Sequence, residues 1–124
     1  MFDHIGITVS DYTKSLAFYQ KALAPLGIKY IFGEEGVYAG FGTTRPMFWL
    51  GVCDAIHLAS TSTHVAFACE TRAEVDAFYA AAIAAGGRDN GAPGPRPQYD
   101  EHYYGAFVLD IDGNNIEAVC REAE

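Results

Sequence analysis

Two stretches, HIGITVSDYTKSLAFYQKALAPLG (His4–Gly27) and HVAFACETRAEVDAFYAAAIAAGG (His64–Gly87), superimpose without a gap after a shift of 60 residues. Seven of the 24 positions are identical: His4 with His64, Ala17 with Ala77, Phe18 with Phe78, Tyr19 with Tyr79, Ala22 with Ala82, Ala24 with Ala84 and Gly27 with Gly87. Ile5 facing Val65 and Leu23 facing Ile83 keep apolar character. Similarity at a fixed spacing marks a repeated supersecondary unit. The chain reads as one domain, 1–124, made of module one (1–60) and module two (61–124), because each half is too short to bury a core alone.

Each repeat opens with period-two alternation. Ile5, Ile7 and Val9 share one face of a strand, and His4, Gly6 and Thr8 the other; Val65, Phe67 and Cys69 oppose His64, Ala66 and Ala68 in the same way. The bulky set packs under a helix. The histidine is left among small residues, with space above the sheet for a ligand. A helix follows each strand. Ser10 or Asp11 caps the first, Leu16, Tyr19 and Leu23 form its stripe, and Pro25 and Gly27 stop it. Thr71 and Glu74 form a capping box for the second, with Val75, Phe78, Tyr79, Ala82 and Ile83 at helical spacing and Gly86-Gly87 at its end.

Shorter extended pieces complete each module. IKYIF, VYAGF and MFWLGV follow the first helix. After the second come a short piece near Arg88, the turn-rich NGAPGPRPQYDEH, and then YYGAFVLD and NIEAV joined by the hairpin signal IDGN. Each module is βαβββ. The fold class is α+β: two paired modules whose mixed sheets curl around a metal-binding cleft.

The ligand set comes from three points. Glu117 lies inside the apolar strand NNIEAVC, where a carboxylate needs compensation for its charge. It shares a face with Val119, while Ile116, Ala118 and Cys120 take the other. Two neutral imidazoles, His4 and His64, with this carboxylate suit a divalent transition metal and leave positions open for water and substrate. Each of the three alone also fits a hydrogen-bonded structural residue; the duplication is what favours the metal. The polar, proline-stiffened segment GAPGPRPQYDEHYYG could cover the cleft. Within it Arg96, Tyr103 and Tyr104 are candidates to bind substrate, and Glu101 and His102 to move protons; a surface loop packed by its own tyrosines fits it equally. Trp49 and Tyr38 could form an aromatic wall or belong to the core. His57 belongs to a solvated linker.

Composition limits the partners. The net charge of −8, with only eight Lys and Arg, excludes a nucleic-acid or anionic membrane surface as the main partner. Cys53, Cys69 and Cys120 show no C-x-x-C spacing, which predicts reduced thiols and a cytoplasmic protein. No signal peptide and no membrane-spanning run is expected from the sequence.

DHIGITVSDYTKSLAFY, THVAFA and DIDGNNIEAV together resemble the vicinal oxygen chelate superfamily, which includes glyoxalases, bleomycin-resistance and fosfomycin-resistance proteins and extradiol dioxygenases. Ile111 stands where proline is common in the family's D-P-D-G-x-x-[IL]-E. The resemblance spans nearly the whole chain. It implies a small-molecule substrate chelated through vicinal oxygens, one divalent metal ion (Zn, Fe, Mn or Ni) and a homodimer. The ligand positions it implies are His4, a residue in MFWLGV, His64 and Glu117. In glyoxalase I the second of these is a glutamate that also acts as base; Trp49, or a neighbour, stands there in this chain, which argues against glyoxalase I activity. The remaining His, His, Glu set is similar to that of extradiol dioxygenases and fosfomycin-resistance transferases. Gly6 replaces the threonine of the latter, and the former are longer, with an additional His and Tyr near the metal. The expectation is a metal-dependent lyase or dioxygenase-like enzyme. The alternative is a non-catalytic protein of bleomycin-resistance type that binds a drug or aromatic metabolite.

Overall fold

The alternating runs become strands where the repeat puts them. The computed structural model describes residues 1–124. Module one contains Ile5–Val9 (β1), Tyr12–Leu23 (α1), Lys29–Glu34 (β2), Tyr38–Gly42 (β3) and Pro46–Val52 (β4). Module two contains His64–Cys69 (β5), Arg72–Ala84 (α2), Arg88–Pro95 (β6), Tyr104–Leu109 (β7) and Asn115–Cys120 (β8). The sheets have the orders β1-β4-β3-β2 and β5-β8-β7-β6. In each, the first strand runs parallel to the last and the other pairs are antiparallel. These are the two βαβββ modules predicted from the repeat.

The helix ends follow from local chemistry. Asp11, not Ser10, caps α1, its carboxylate accepting from the Lys14 N–H at 2.9 Å. Thr71 and Glu74 close the predicted capping box on α2. α1 stops at Leu23, a 3₁₀ turn carries Pro25, and Gly27 takes φ +74° to leave it, a conformation that costs glycine little.

Each helix packs on its own sheet, and α1 packs against α2. A single cluster of 22 buried residues joins both modules. Phe48 of β4 meets Phe67 of β5 edge-to-face, centroids 5.3 Å apart. The IDGN segment has a structural task at this seam. Asp110 is buried, yet its carboxylate accepts from the Tyr19 hydroxyl at 2.5 Å and from the backbone N–H groups of Asp112 and Asn114 at 2.9 Å each. Asn114 in turn donates to the Ser60 carbonyl and accepts from the Thr63 N–H. Ser60 donates its backbone N–H to Thr8, and Ser10 bonds Asp112, so linker, first module and second module are tied together. Burial in contact with Asp110 pushes the Tyr19 hydroxyl pKa well above its ordinary value.

Two expectations change. The strand near Arg88 runs on to Pro95, through part of the predicted turn-rich segment. β6 is a sheet-edge strand, where a proline's missing N–H leaves no ladder bond unmade, and the Arg96 guanidinium donates to the carbonyls of Ala92 and Gly94. In both modules the outer ends of the predicted core set are exposed: Ile5 lies on the rim and Ile83 is only partly covered.

No helix is long and apolar enough to cross a membrane.

Candidate functional site

Strand pairing builds the site. In β5 and β8, Ala66 pairs with Glu117, and His64 pairs with Asn115. In β7, Phe107 is the other neighbour of Glu117. Paired residues share a face, so Ile116, Ala118 and Cys120 enter the core while Glu117 lies on the opposite face with Ala66 and Phe107. Glu117 is nevertheless only 2% exposed. It is covered by Tyr103, whose hydroxyl donates to its Oε2. Burial, and then the bond to Glu117, push the Tyr103 hydroxyl up to about 12, so it remains a donor.

The other carboxylate oxygen faces His64. The Nδ1 of His64 lies 2.8 Å from the Asn115 carbonyl oxygen. A carbonyl only accepts, so Nδ1 carries the proton and donates. The other ring nitrogen, Nε2, is 3.1 Å from Glu117 Oε1, and with no second proton on the ring it presents a lone pair there. Two electron-pair donors facing each other repel unless a proton or a cation stands between them. Donor atoms held about 2.0–2.2 Å from one first-row divalent ion are themselves roughly 3 Å apart. A ring N–H pinned by a carbonyl is also the usual support for a metal-binding histidine. The pair therefore fits two ligands of a divalent cation.

His64 and Glu117 open into a cavity of about 490 Å³, within the range of small-molecule sites. Tyr99, Tyr103 and Phe107 form its aromatic walls, and Asn115 and Arg121 supply polar groups. Phe107 stacks on the His64 ring. Arg121 lies over the Tyr103 ring, 4.8 Å from its centroid. All seven lining residues belong to module two.

The structure brings together two of the three predicted ligands. His4 lies just before β1, at the edge of the first sheet, with Nδ1 2.7 Å from Asp3 Oδ1, and Arg45 holds the other Asp3 oxygen at 2.8 Å. These bonds, first that to His4 and then that to Arg45, hold the Asp3 carboxyl below the usual carboxylate range. No group of three His, Cys, Asp or Glu side chains gathers as a metal site within one chain. The cleft expected between the sheets is thus not closed around all three ligands by a single chain.

The remaining candidates divide. Tyr103 lines the cavity and donates to Glu117. Arg96 lines a neighbouring hollow and lies over the Phe107 ring at 5.4 Å, with both terminal nitrogens bonded to β6 carbonyls. Tyr104 points the other way, donating to Asp76 of α2 beneath the Arg72 guanidinium. Glu101 and His102 lie 3.7 Å apart at the surface, outside the cavity lining. Their loop is short because β6 takes its first half. Trp49 pairs with Gly6 and Gly40 as Glu117 pairs with Ala66 and Phe107, which places it at the module-one equivalent of Glu117. Its ring lies over Gly40, and Phe32 and Tyr38 flank it with centroids at 6.4 and 5.9 Å. His57 is exposed and bonded to Asp54, as expected of a linker residue. Phe107, Asn115 and Arg121 were not legible as site residues; only the face shared by Phe107 and Glu117 across the β7–β8 hairpin could have signalled the first.

The family model described as Glyoxalase/Bleomycin resistance protein/Dioxygenase superfamily matches residues 1–118. A glyoxalase/bleomycin resistance protein from Albidiferax ferrireducens T118 is 30% identical over 98% of this chain and 99% of its own, with TM-score 0.78. A glyoxalase/bleomycin resistance protein/dioxygenase family enzyme from Burkholderia phytofirmans PsJN is 22% identical (97% and 98% coverage, TM-score 0.75). A lactoylglutathione lyase from Agrobacterium tumefaciens is 21% identical (97% and 92%, TM-score 0.71). The last two likenesses show the fold alone. No curated protein matches. Duplicated βαβββ modules, the matching model and a 30% identical relative of equal length establish that the chain belongs to the glyoxalase/bleomycin resistance protein/dioxygenase superfamily.

Proposed function

We infer that the protein is a metal-dependent enzyme acting on a small molecule chelated through vicinal oxygens. One observation carries this reading: His64 Nε2 and Glu117 Oε1 stand 3.1 Å apart at the cavity while His64 Nδ1 faces the Asn115 carbonyl. His64 and Glu117 would hold the cation. Tyr103 would fix the Glu117 rotamer through Oε2, leaving Oε1 as the ligand atom. His4 would be the third ligand, supplied by a second copy of the chain in a homodimer; Asp3 and Arg45 already fix its ring so that Nε2 remains free for this. A bound divalent ion supplies Lewis-acid stabilisation of charge developing on a substrate oxygen, a property shared by lyase, isomerase, dioxygenase and transferase chemistry.

Trp49 supports the exclusion of glyoxalase I, since an indole in the place of a second carboxylate can neither ligate nor take a proton. Three free cysteines fit the cytoplasm.

The rival reading, a binding protein for aromatic molecules, is favoured by the plate of Phe32, Tyr38 and Trp49 on the open face of the first sheet, with Phe32 55% exposed. Elemental analysis of purified protein separates the two. Near-stoichiometric metal that disappears in His64→Ala supports the enzyme. Metal-free protein that still binds aromatic ligands supports the binding module.

A further inference from the structure

The last rung of the parallel strand pair differs between the modules. In module one Val9 of β1 pairs with Val52 of β4; at the equivalent rung of module two Cys69 of β5 pairs with Cys120 of β8. Two valines satisfy the fold at this place, so packing alone does not call for thiols. Paired residues on neighbouring strands share a face. Cys120 belongs to the core cluster and half-buried Cys69 packs against it, both as free thiols.

The spacing of the strands decides what two such thiols can hold. Neighbouring strands lie about 4.7–4.9 Å apart, whereas a disulfide draws its Cβ atoms to about 3.5–4.5 Å. A cation bonded to two sulfurs at about 2.3 Å each, the length of a zinc–thiolate bond, holds them up to about 4.6 Å apart. A bridging ion therefore matches the ladder, and an S–S bond would pinch it. Burial, then Glu74 and then Cys120, also push the Cys69 thiol up to about 12, which keeps the thiolate needed for disulfide exchange scarce. Each sulfur has only a weak contact to give up: Cys69 Sγ to the Phe67 carbonyl at 3.7 Å, and Cys120 Sγ to the Glu122 carbonyl at 4.0 Å.

Charge and access favour a cation. Cys120 lines a hollow of about 290 Å³ at the start of α2, together with Glu70, Glu122 and Glu124, whose carboxylates attract positive ions. Arg72 lines the same hollow and offsets the negative charge that two thiolates leave on a monovalent ion. No third His, Cys, Asp or Glu joins the pair to make a fuller ligand set. Zinc in a structural site takes four ligands, while soft thiolates select copper(I).

We propose that Cys69 and Cys120 form a binding site for copper(I), held between the two sulfurs. The ion displaces one proton from each thiol and forms two sulfur–metal bonds, with no change of oxidation state. This site is separate from the His64–Glu117 pair and does not depend on its role.

Anaerobic titration with copper(I), in competition with bathocuproine disulfonate, tests the proposal. The parent protein is expected to take up one ion per chain and release two protons, and X-ray absorption should show sulfur as the ion's neighbours. Cys69→Val/Cys120→Val copies the module-one pair, and circular dichroism checks that it folds. Its affinity should fall by more than about a hundredfold, beyond the about 10–100-fold that residues merely supporting a ligand are worth. Cys69→Ser, a single change at the more open position, should show a loss in the same direction. Cys53→Ser should bind as the parent does. Affinity retained in the valine variant or in Cys69→Ser, affinity lost in Cys53→Ser, a coordination shell of nitrogen and oxygen, or no uptake of copper(I) overturns the proposal.

Discussion

The His64 imidazole and the Glu117 carboxylate face each other across 3.1 Å, with the ring's proton already committed to the Asn115 carbonyl. The strand ladder imposes this approach: β5 and β8 run parallel, and their register sets His64 beside Asn115 and Ala66 beside Glu117. A side chain as small as Ala66 leaves room for the carboxylate to lean toward the histidine.

Replacing Glu117 by Gln keeps the shape but removes the charge of one proposed ligand. Zinc affinity should fall at least tenfold, since even residues that only support ligands are worth about 10–100-fold in affinity. Competition with a chromogenic chelator measures this. Unchanged affinity would remove Glu117 from the ligand set.

Asp3→Ala frees the His4 ring from the contact that orders it. With His4 as the third ligand, metal affinity should drop about tenfold, and Arg45→Gln should cause a smaller loss in the same direction. An affinity identical to that of the parent protein would mean that His4 has no part in binding the ion.

Tyr19 ties the first module to the second through buried Asp110. Tyr19→Phe should cost about 1–2 kcal/mol at neutral pH, because one acceptor loses its donor. The pH dependence has a definite sign. The hydroxyl pKa is raised on folding, so its contribution is complete below the ordinary value near 10 and is lost as pH climbs above it. Urea unfolding between pH 8 and 11.5 should therefore show the parent protein losing stability more steeply above pH 10 than Tyr19→Phe does. Parallel curves would contradict the shift.

Gly87 is close-packed. A methyl group added there would lie 2.4 Å from Val108 Cγ1 and 2.9 Å from both the Ala82 carbonyl oxygen and Phe18 Cε1. Gly87→Ala should destabilise by about 1–3 kcal/mol, the usual range for overpacking. Gly51→Ala meets nothing within 4 Å and should stay within about 0.5 kcal/mol of the parent. Thermal unfolding of the two variants side by side checks the difference.

Gly87 also shows how far the repeat can be read. Sequence aligns it with Gly27, but the two glycines serve different needs. Gly27 supplies a left-handed turn, whereas in module two Gly86 takes that role with φ +103° and Gly87 supplies close approach. Trp49 shows the reverse case: the family resemblance pointed to it, or a neighbour, as the module-one counterpart of Glu117, and the strand registers give it that position. Arg121 and Asn115 were hidden because nothing local marks a residue whose importance comes from a neighbour 51 positions away, as with Asn115 and His64.

The sequence by itself determined the two modules, the capped helices and the strand faces, that of Glu117 among them. All of these are written in periodicities of two and 3.6 and in residues close along the chain. Only the tertiary structure decided which candidates share a cavity. Parallel pairing of β5 with β8 joined His64 to Glu117, while packing α1 against α2 set the first sheet and His4 apart from them in one chain. Alternation fixes the face on which a side chain lies, but the distance between faces of two sheets depends on how whole modules pack, and no local pattern encodes that.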